Sequence, residues 1–378
     1  MTDFGTEEID VLTDIGWKPI KMISVNDKVW TLDLSSRKAN LELVKSIKSI
    51  KVEPIFRISG KNIFGEFPDN NKILIEDRYG KLEIVHISDI FNNRIRYSHS
   101  SIPKIIDIQD SSSNDETFII PGVIPKRRYK NKVDTTEDLI FDRELLCKIL
   151  GLWLAEGGIW GSNRKEFRPR RIVITQSIEA NSEKCKQIDD LWDEIPKDIV
   201  TSRRIYRRKK LWYIHDARLV HYFHSMGNIY TKKIPNAIFD FNKKDLEQLL
   251  FWFALGDGRS SKHRKKYNNI ILDNYKDIFS VSRELTEGLS YIALKCGIGI
   301  SNYRKITEKD YMFASHLIKA EDRKPLNFVS LNANKNISLK YGNLNIERDK
   351  KTIEYIKLET NSPVIYIRSK GKSYWTVD

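Results

Sequence analysis

Two carboxylates carry the chemistry that this sequence offers. Glu156 and Asp257 each close an apolar stretch, LGLWLAEGG (150–158) and FWFALGDGR (251–259), and each is followed at once by a glycine, Gly157 and Gly258. Two acids that converge can hold a divalent cation, which activates a water, stabilises the charge on a phosphorane and assists a leaving oxygen. Mg2+ suits that task because it keeps several waters and asks for only one or two carboxylates. Either stretch alone is equally a core helix with a glycine stop and a solvated acid. Two copies, each opening a similar block of strands, point to function and to two similar units about a pseudo-twofold axis.

The elements that must position these acids are helices. The first has a cap at Asp142, and the second can start after Asn242. In both, apolar residues point all round the wheel, the mark of a buried helix rather than a surface one. Glycine just past the end fits a left-handed C-cap. An acid in the last turn is disfavoured by the macrodipole, and a bound cation would offset that penalty.

ILGLWLAEG (149–157) and LFWFALGDG (250–258) resemble, in register, the paired motifs of LAGLIDADG homing endonucleases. The resemblance covers roughly 140–345, with a domain spanning 135–345. It implies an α+β fold of two αββαββα units and makes Glu156 and Asp257 the metal-binding catalytic acids. It further implies a monomer that makes a Mg2+-dependent staggered break in a long double-stranded DNA site. The glycine at which the motif helices cross stands as Gly151 in the first copy but is Trp252 in the second, so close approach passes to Ala155 and Gly256.

Length and charge agree with such a partner. A chain of 378 residues can hold two or three domains, and a net charge of +14 favours a polyanion. No apolar run approaches the roughly 20 residues of a membrane span, and Asp3, Glu7 and Glu8 are the wrong flank for a signal peptide. No membrane partner is expected. The cysteines Cys147, Cys185 and Cys296 have no ligand spacing and read as packing residues in a reducing intracellular compartment, prokaryotic, viral-host or nuclear.

Residues 1–120 read as an all-β region of short strands and turns with no helix, including a tight turn at Asn26-Asp27 and a hairpin through Arg78-Tyr79-Gly80. VLTDIGW, VNDKVWTLD and KILIEDRYGK, with the closing KTIEYIKLETNSPVIYIRSKGKSYWTVD (351–378), resemble the Hint fold of inteins. The implied domain is discontinuous, 1–125 and 346–378. Splicing needs a nucleophile ahead of VLTDIGW, where Thr2 and Thr6 are poorly placed, and a Thr-x-x-His block, where Pro68 and Asn71 stand. It also needs a closing His-Asn pair, where Val377-Asp378 stands. Acyl transfer then has no route, and splicing is expected to be lost.

Loop SSSNDE (111–116) and basic linker IPKRRYKNKVDTTED (124–138) lead to the first acid-ended helix. After it, a hairpin arm and strand RIVITQ (171–176) precede a polar helix, about 179–194, with Cys185, Ile188, Leu191 and Trp192 on its apolar face. A ribbon, SRRIYRRKK and KLWYIH, and a helix at 217–227 follow. The order recurs after Asp257 through a strand at 277–282, a helix at 285–297 and strands at 299–306 and 311–318. Cations cluster beside the acids: Arg164, Lys165, Arg168, Arg170 and Arg171; then Arg203, Arg204, Arg207, Arg208, Lys209 and Lys210; then Lys262, Arg264, Lys265 and Lys266. Such ribbons fit the major groove, most cations fixing register on phosphates and a few reading bases. Lys210 is also a basic group that can serve near the attacking water. The rival readings are a DNA- or RNA-binding maturase-like protein without cleavage, and an intein with residual splicing.

Overall fold

The computed structural model describes residues 9–104, 115–123, 137–162, 168–260, 267–306, 310–313, 316–333, 336–340 and 344–377. The chain forms two compact units. One comprises Met1–Asp110, Ala293–Tyr303 and Val329–Asp378, and the other Ser111–Ile292 with Arg304–Phe328.

In the first unit the two ends of the sequence share a sheet. Strand Ile9–Thr13 lies between Gly16–Pro19 and Val364–Ser369, with Ile9 opposite Ser369 and Val11 opposite Ile367. Val364–Ser369 continues into Lys372–Val377. Strands Lys28–Asp33 and Lys38–Leu43 extend the sheet on the other side. Chain-distant pairing recurs in the ribbon Ser46–Val52 with Ile353–Glu359, and in Ile55–Gly60 with Leu344–Asp349. A core of Val11, Val29, Phe56, Ile58, Ile73, Ile365 and Tyr374 joins these layers. The expected turn at Asn26 is present, with a left-handed φ of 75° and the Asp27 carboxylate accepting from the Ser24 amide and the Lys18 ammonium. The expected hairpin is present as Lys72–Glu76 with Leu82–His86. The region is not free of helix, however: Ile87–Asn92 forms one, with Ile87 and Ile90 buried. Six residues are too few for helical periodicity to stand out.

The second unit is built around helices Arg143–Glu156 and Lys243–Asp257. The Asp142 and Asn242 side chains cap them, accepting from the amides of Leu145 and Asp245 at 2.7 and 2.9 Å. Leu146, Ile149, Leu150, Leu152, Leu249, Leu250 and Phe253 are fully buried, as the all-round apolar wheel requires. After the first helix come strands Gly157–Ser162 and Arg168–Ser177, helix Ser182–Glu194, strands Thr201–Tyr206 and Lys209–Ile214, and helix Ala217–His224. The four strands form one antiparallel sheet in the order 157–162, 168–177, 209–214, 201–206. After the second helix the pattern is looser: a three-residue strand Gly258–Ser260, a short helix Ile270–Asn274, strand Tyr275–Ser280 and helix Arg283–Lys295. The stretch 311–318 is not one strand but a hairpin, Tyr311–Phe313 with His316–Ile318. All three cysteines are buried, and none is in a disulfide.

Candidate functional site

The two acid-ended helices pack along each other, and small residues set how closely. A Cβ at Gly151 would run into the Leu249 carbonyl and lie 3.0 Å from the Phe253 nitrogen. A Cβ at Gly256 would collide with the Ala155 side chain and lie 3.0 Å from the Glu156 Cγ. Close approach therefore uses Gly151 at one level and Ala155 with Gly256 at the other, while Trp252 is itself buried. The acids emerge together at this end.

Gly157 and Gly258 are not left-handed C-caps. Their φ values are −92° and −98°, extended backbone that leads straight into the following strands. Glycine is needed there for space: a Cβ at Gly157 would strike Trp153, and one at Gly258 would strike the Ala254 carbonyl.

In place of a left-handed cap, the first helix end is closed by a side chain from elsewhere. The Lys232 ammonium donates to the carbonyls of Trp153 at 2.7 Å, Gly157 at 2.8 Å and Leu154 at 3.1 Å. It lies 4.4 Å from the Trp153 ring centre, and its own carbonyl accepts from the Ser282 hydroxyl at 2.6 Å. Burial pushes its pKa down to about 8, against the pull of Asp257 and Glu156. Asp257 moves the other way. Burial, then the neighbouring Glu156, pushes it up to about 7, opposed by Lys232 and Lys184. The two carboxyls thus repel each other, and the site holds two ammoniums against them: Lys184 lies 3.3 Å from Glu156 Oε1.

Such a donor set fits a shared cation better than an enclosed one. Among the described residues no three His, Cys, Asp or Glu side chains gather into a metal cage. Two carboxylates that repel without a cation suit a divalent ion whose remaining shell could be completed by water and phosphate oxygens.

Next to the acids, the four-stranded sheet divides its cations by strand alternation. Successive side chains point to opposite faces. Ile172, Ile174, Trp212 and Ile214 share the buried face, and Arg203 and Lys210 share it with them, opposite Trp212 and Gln176. Both are tied to helix Ser182–Glu194. Lys210 pairs with Asp189 at 2.6 Å, and Arg203 with Asp193 at 2.6 Å and Asp189 at 3.6 Å. The Lys210 ammonium is thereby paired with the Asp189 carboxylate, which also accepts from the Trp212 indole at 2.8 Å.

The other face carries Trp160, Arg171, Tyr213, Arg204 and Lys209. Arg171 lies over two adjacent rings, its guanidinium 4.8 Å from the Trp160 centre and 4.7 Å from that of Tyr213, the two centres being 5.8 Å apart. Arg204 and Arg207 lie over Tyr206, and the turn at Arg207 adopts a left-handed φ of 56°. Arg208 reaches Glu179 at 3.4 Å, and Arg170 is exposed. Arg168 opens its strand. Arg164, Lys165, Lys262, Arg264, Lys265 and Lys266, like SSSN at 111–114 and most of the basic linker, lie outside the described residues.

Comparison with known proteins gives little beyond this geometry. No family model matches the chain. It is 21% identical over 306 residues to the ATP-dependent Clp protease proteolytic subunit of Chlamydomonas moewusii, which covers 77% of this chain. The chain spans only 28% of that protein's length. Among solved structures it is similar to the homing endonuclease I-DmoI in complex with DNA and Ca, at 17% identity and a TM-score of 0.34, over 50% of this chain and 84% of that one. For I-WcaI bound to its DNA recognition sequence the values are 12% and 0.26, over 50% and 76%. For the AceL NrdHF class 3 split intein they are 16% and 0.21, over 35% and 75%. Likenesses this weak leave any functional reading to rest on the residues themselves.

Proposed function

We propose that the chain is a two-motif, metal-dependent DNA endonuclease of the LAGLIDADG kind, spanning 135–345, carried by a Hint-like β domain of 1–125 and 346–378. The observation that supports it is the pairing of two buried helices through Gly151 and Gly256, which delivers Glu156 and Asp257 to one end beside a cationic, aromatic sheet face.

Glu156 and Asp257 hold Mg2+, which when bound supplies an activated water and charge stabilisation on the phosphate. Lys232 neutralises the first helix end and keeps the acids' surroundings positive toward a phosphodiester. Arg204 and Arg207 contact phosphates, as do Arg164, Arg168, Arg170, Arg208 and Arg264, and they fix the duplex in register. Arg203 and Lys210 act at one remove by holding the sheet to helix Ser182–Glu194. Both acids come from one chain, so a monomer suffices for both strands, and their separation along the duplex gives a staggered break. Splicing is lost, because Pro68 and Asn71 offer no Thr–His pair to polarise an amide.

The test uses duplex DNA spanning the locus that flanks the coding gene. Glu156→Gln is expected to lower Mg2+-dependent cleavage about a hundredfold or more while binding stays near wild type. Cleavage of one strand only is an accepted form of that loss. Wild-type double-strand cleavage by this variant would overturn the proposal.

A further inference from the structure

Lys184 sits where a lysine is least welcome. It is the third residue of helix Ser182–Glu194, which begins after Asn181. Free N–H groups and the macrodipole favour an anion there and disfavour an ammonium. Glu156 and Asp257 show the converse misplacement, each the last residue of its helix. These charges answer one another. The Lys184 Nζ lies 3.3 Å from Glu156 Oε1 and donates to the Gly256 carbonyl at 3.5 Å, with its side chain only 15% exposed.

Lys184 therefore does at the second helix end what Lys232 does at the first, but with a weaker hold. Lys232 makes three hydrogen bonds of 2.7, 2.8 and 3.1 Å to main-chain carbonyls and is 5% exposed. Lys184 makes two long contacts, one of them to a prospective metal ligand. The first ammonium is built into the fold, and the second can leave.

We propose that Lys184 is a displaceable counter-ion. It fills the gap between the two acid-bearing helix ends in the metal-free protein and withdraws when a divalent cation takes Glu156 and Asp257. The inference rests on the endonuclease reading and assigns one residue a role within it. Without metal, two carboxylates and two helix C-termini crowd together, and removing one of two ammoniums leaves them under-compensated. With metal, an ammonium near a ligand oxygen competes for its lone pairs and repels the incoming cation. Lys184 thus stabilises the metal-free protein and weakens metal binding. A lysine that merely pairs on the surface would alter neither.

The experiment titrates the full chain with Ca2+ by calorimetry and measures thermal unfolding in EDTA and in saturating Ca2+. Lys184→Met and Lys184→Gln are expected to bind Ca2+ about 3- to 10-fold more tightly than wild type, the strength of a partly screened ion pair. Both should melt lower in EDTA and gain more from Ca2+, whereas Lys184→Arg should stay near wild type. Unchanged or weaker Ca2+ binding in both neutral variants would overturn the inference. Wild type and Glu156→Gln that both ignore Ca2+ would overturn the metal-dependent reading itself. Wild-type binding with unaltered variants would remove only the role of Lys184.

Discussion

In the metal-free protein the Asp257 carboxyl keeps its proton up to about pH 7 because burial and Glu156 both oppose its charge. An acid whose folded pKa is raised binds more protons folded than unfolded between the two values. Stability is then lost as pH climbs from about 4 to about 7. Some three pKa units correspond to roughly 4 kcal/mol. Melting temperature in EDTA should fall across that window, and Asp257→Asn should flatten the fall; an equally steep fall in the variant would place the titration on another group. Lys232 has the opposite sign at higher pH. Its depressed value of about 8 means that stability is regained as pH rises from there toward 10.5. Both acids were legible in the sequence because type, following glycine and repetition mark them together. Lys232 was not, since it is one of 65 lysines and arginines and nothing local distinguishes it. Its place under the first helix end comes from a turn of chain that packs there only in three dimensions.

At the scale of elements, helix starts and their N-caps were readable, while the conformation of the glycine ends and the strand faces were not. Asp142 and Asn242 have one physical role each, and both cap as their residue types predict. The run Arg203–Lys210 looks like one cationic block in the sequence, yet pleating sends Arg203 and Lys210 to the face that meets Asp189 and Asp193. Only pairing register reveals that division. Its consequence can be measured on duplex binding. Arg204→Ala with Arg207→Ala should lower the slope of log K against log salt by about 1.8, near 0.9 for each lost phosphate contact. Arg203→Ala should leave the slope unchanged and lower the melting temperature instead. Equal slopes in the double variant and wild type would place the duplex elsewhere. Arg171 belongs to a different class. On the proposed DNA-binding reading, its stacking over the adjacent rings of Trp160 and Tyr213 would orient its fork toward the two acceptors of a guanine edge. Arg171→Ala should relax sequence preference at one G·C position by about 10- to 100-fold and barely alter binding to mismatched sites. A uniform loss across all sequences would make it another phosphate contact.

At the scale of the whole molecule, the pairing of Ile9–Thr13 with Val364–Ser369 makes one β unit from segments more than three hundred residues apart in the chain. Its core does not depend on catalytic groups. Trp30 and Trp375 are buried, and Trp17 packs on Tyr366 and under the Arg368 guanidinium, which is itself paired with Asp10 at 2.6 Å. The position where splicing chemistry would need a histidine holds Asn71, whose side chain donates to the Tyr355 hydroxyl and whose carbonyl accepts from the Ile87 amide. Pro68, where the threonine would stand, ends strand Ile63–Pro68 and brings no hydroxyl. On the proposal that splicing is lost, an amide next to these residues would meet no polarising pair and the first acyl shift would lack its activation. The chain fused between two foreign tags should therefore stay intact through prolonged incubation, with mass spectrometry returning the sum of the three parts. Asn71→His alone should not restore activity, because Pro68 still contributes no hydroxyl and the imidazole would inherit the Tyr355 contact. A ligated tag–tag product from the unmodified chain would overturn the loss of splicing and make the β unit a working catalyst rather than a scaffold.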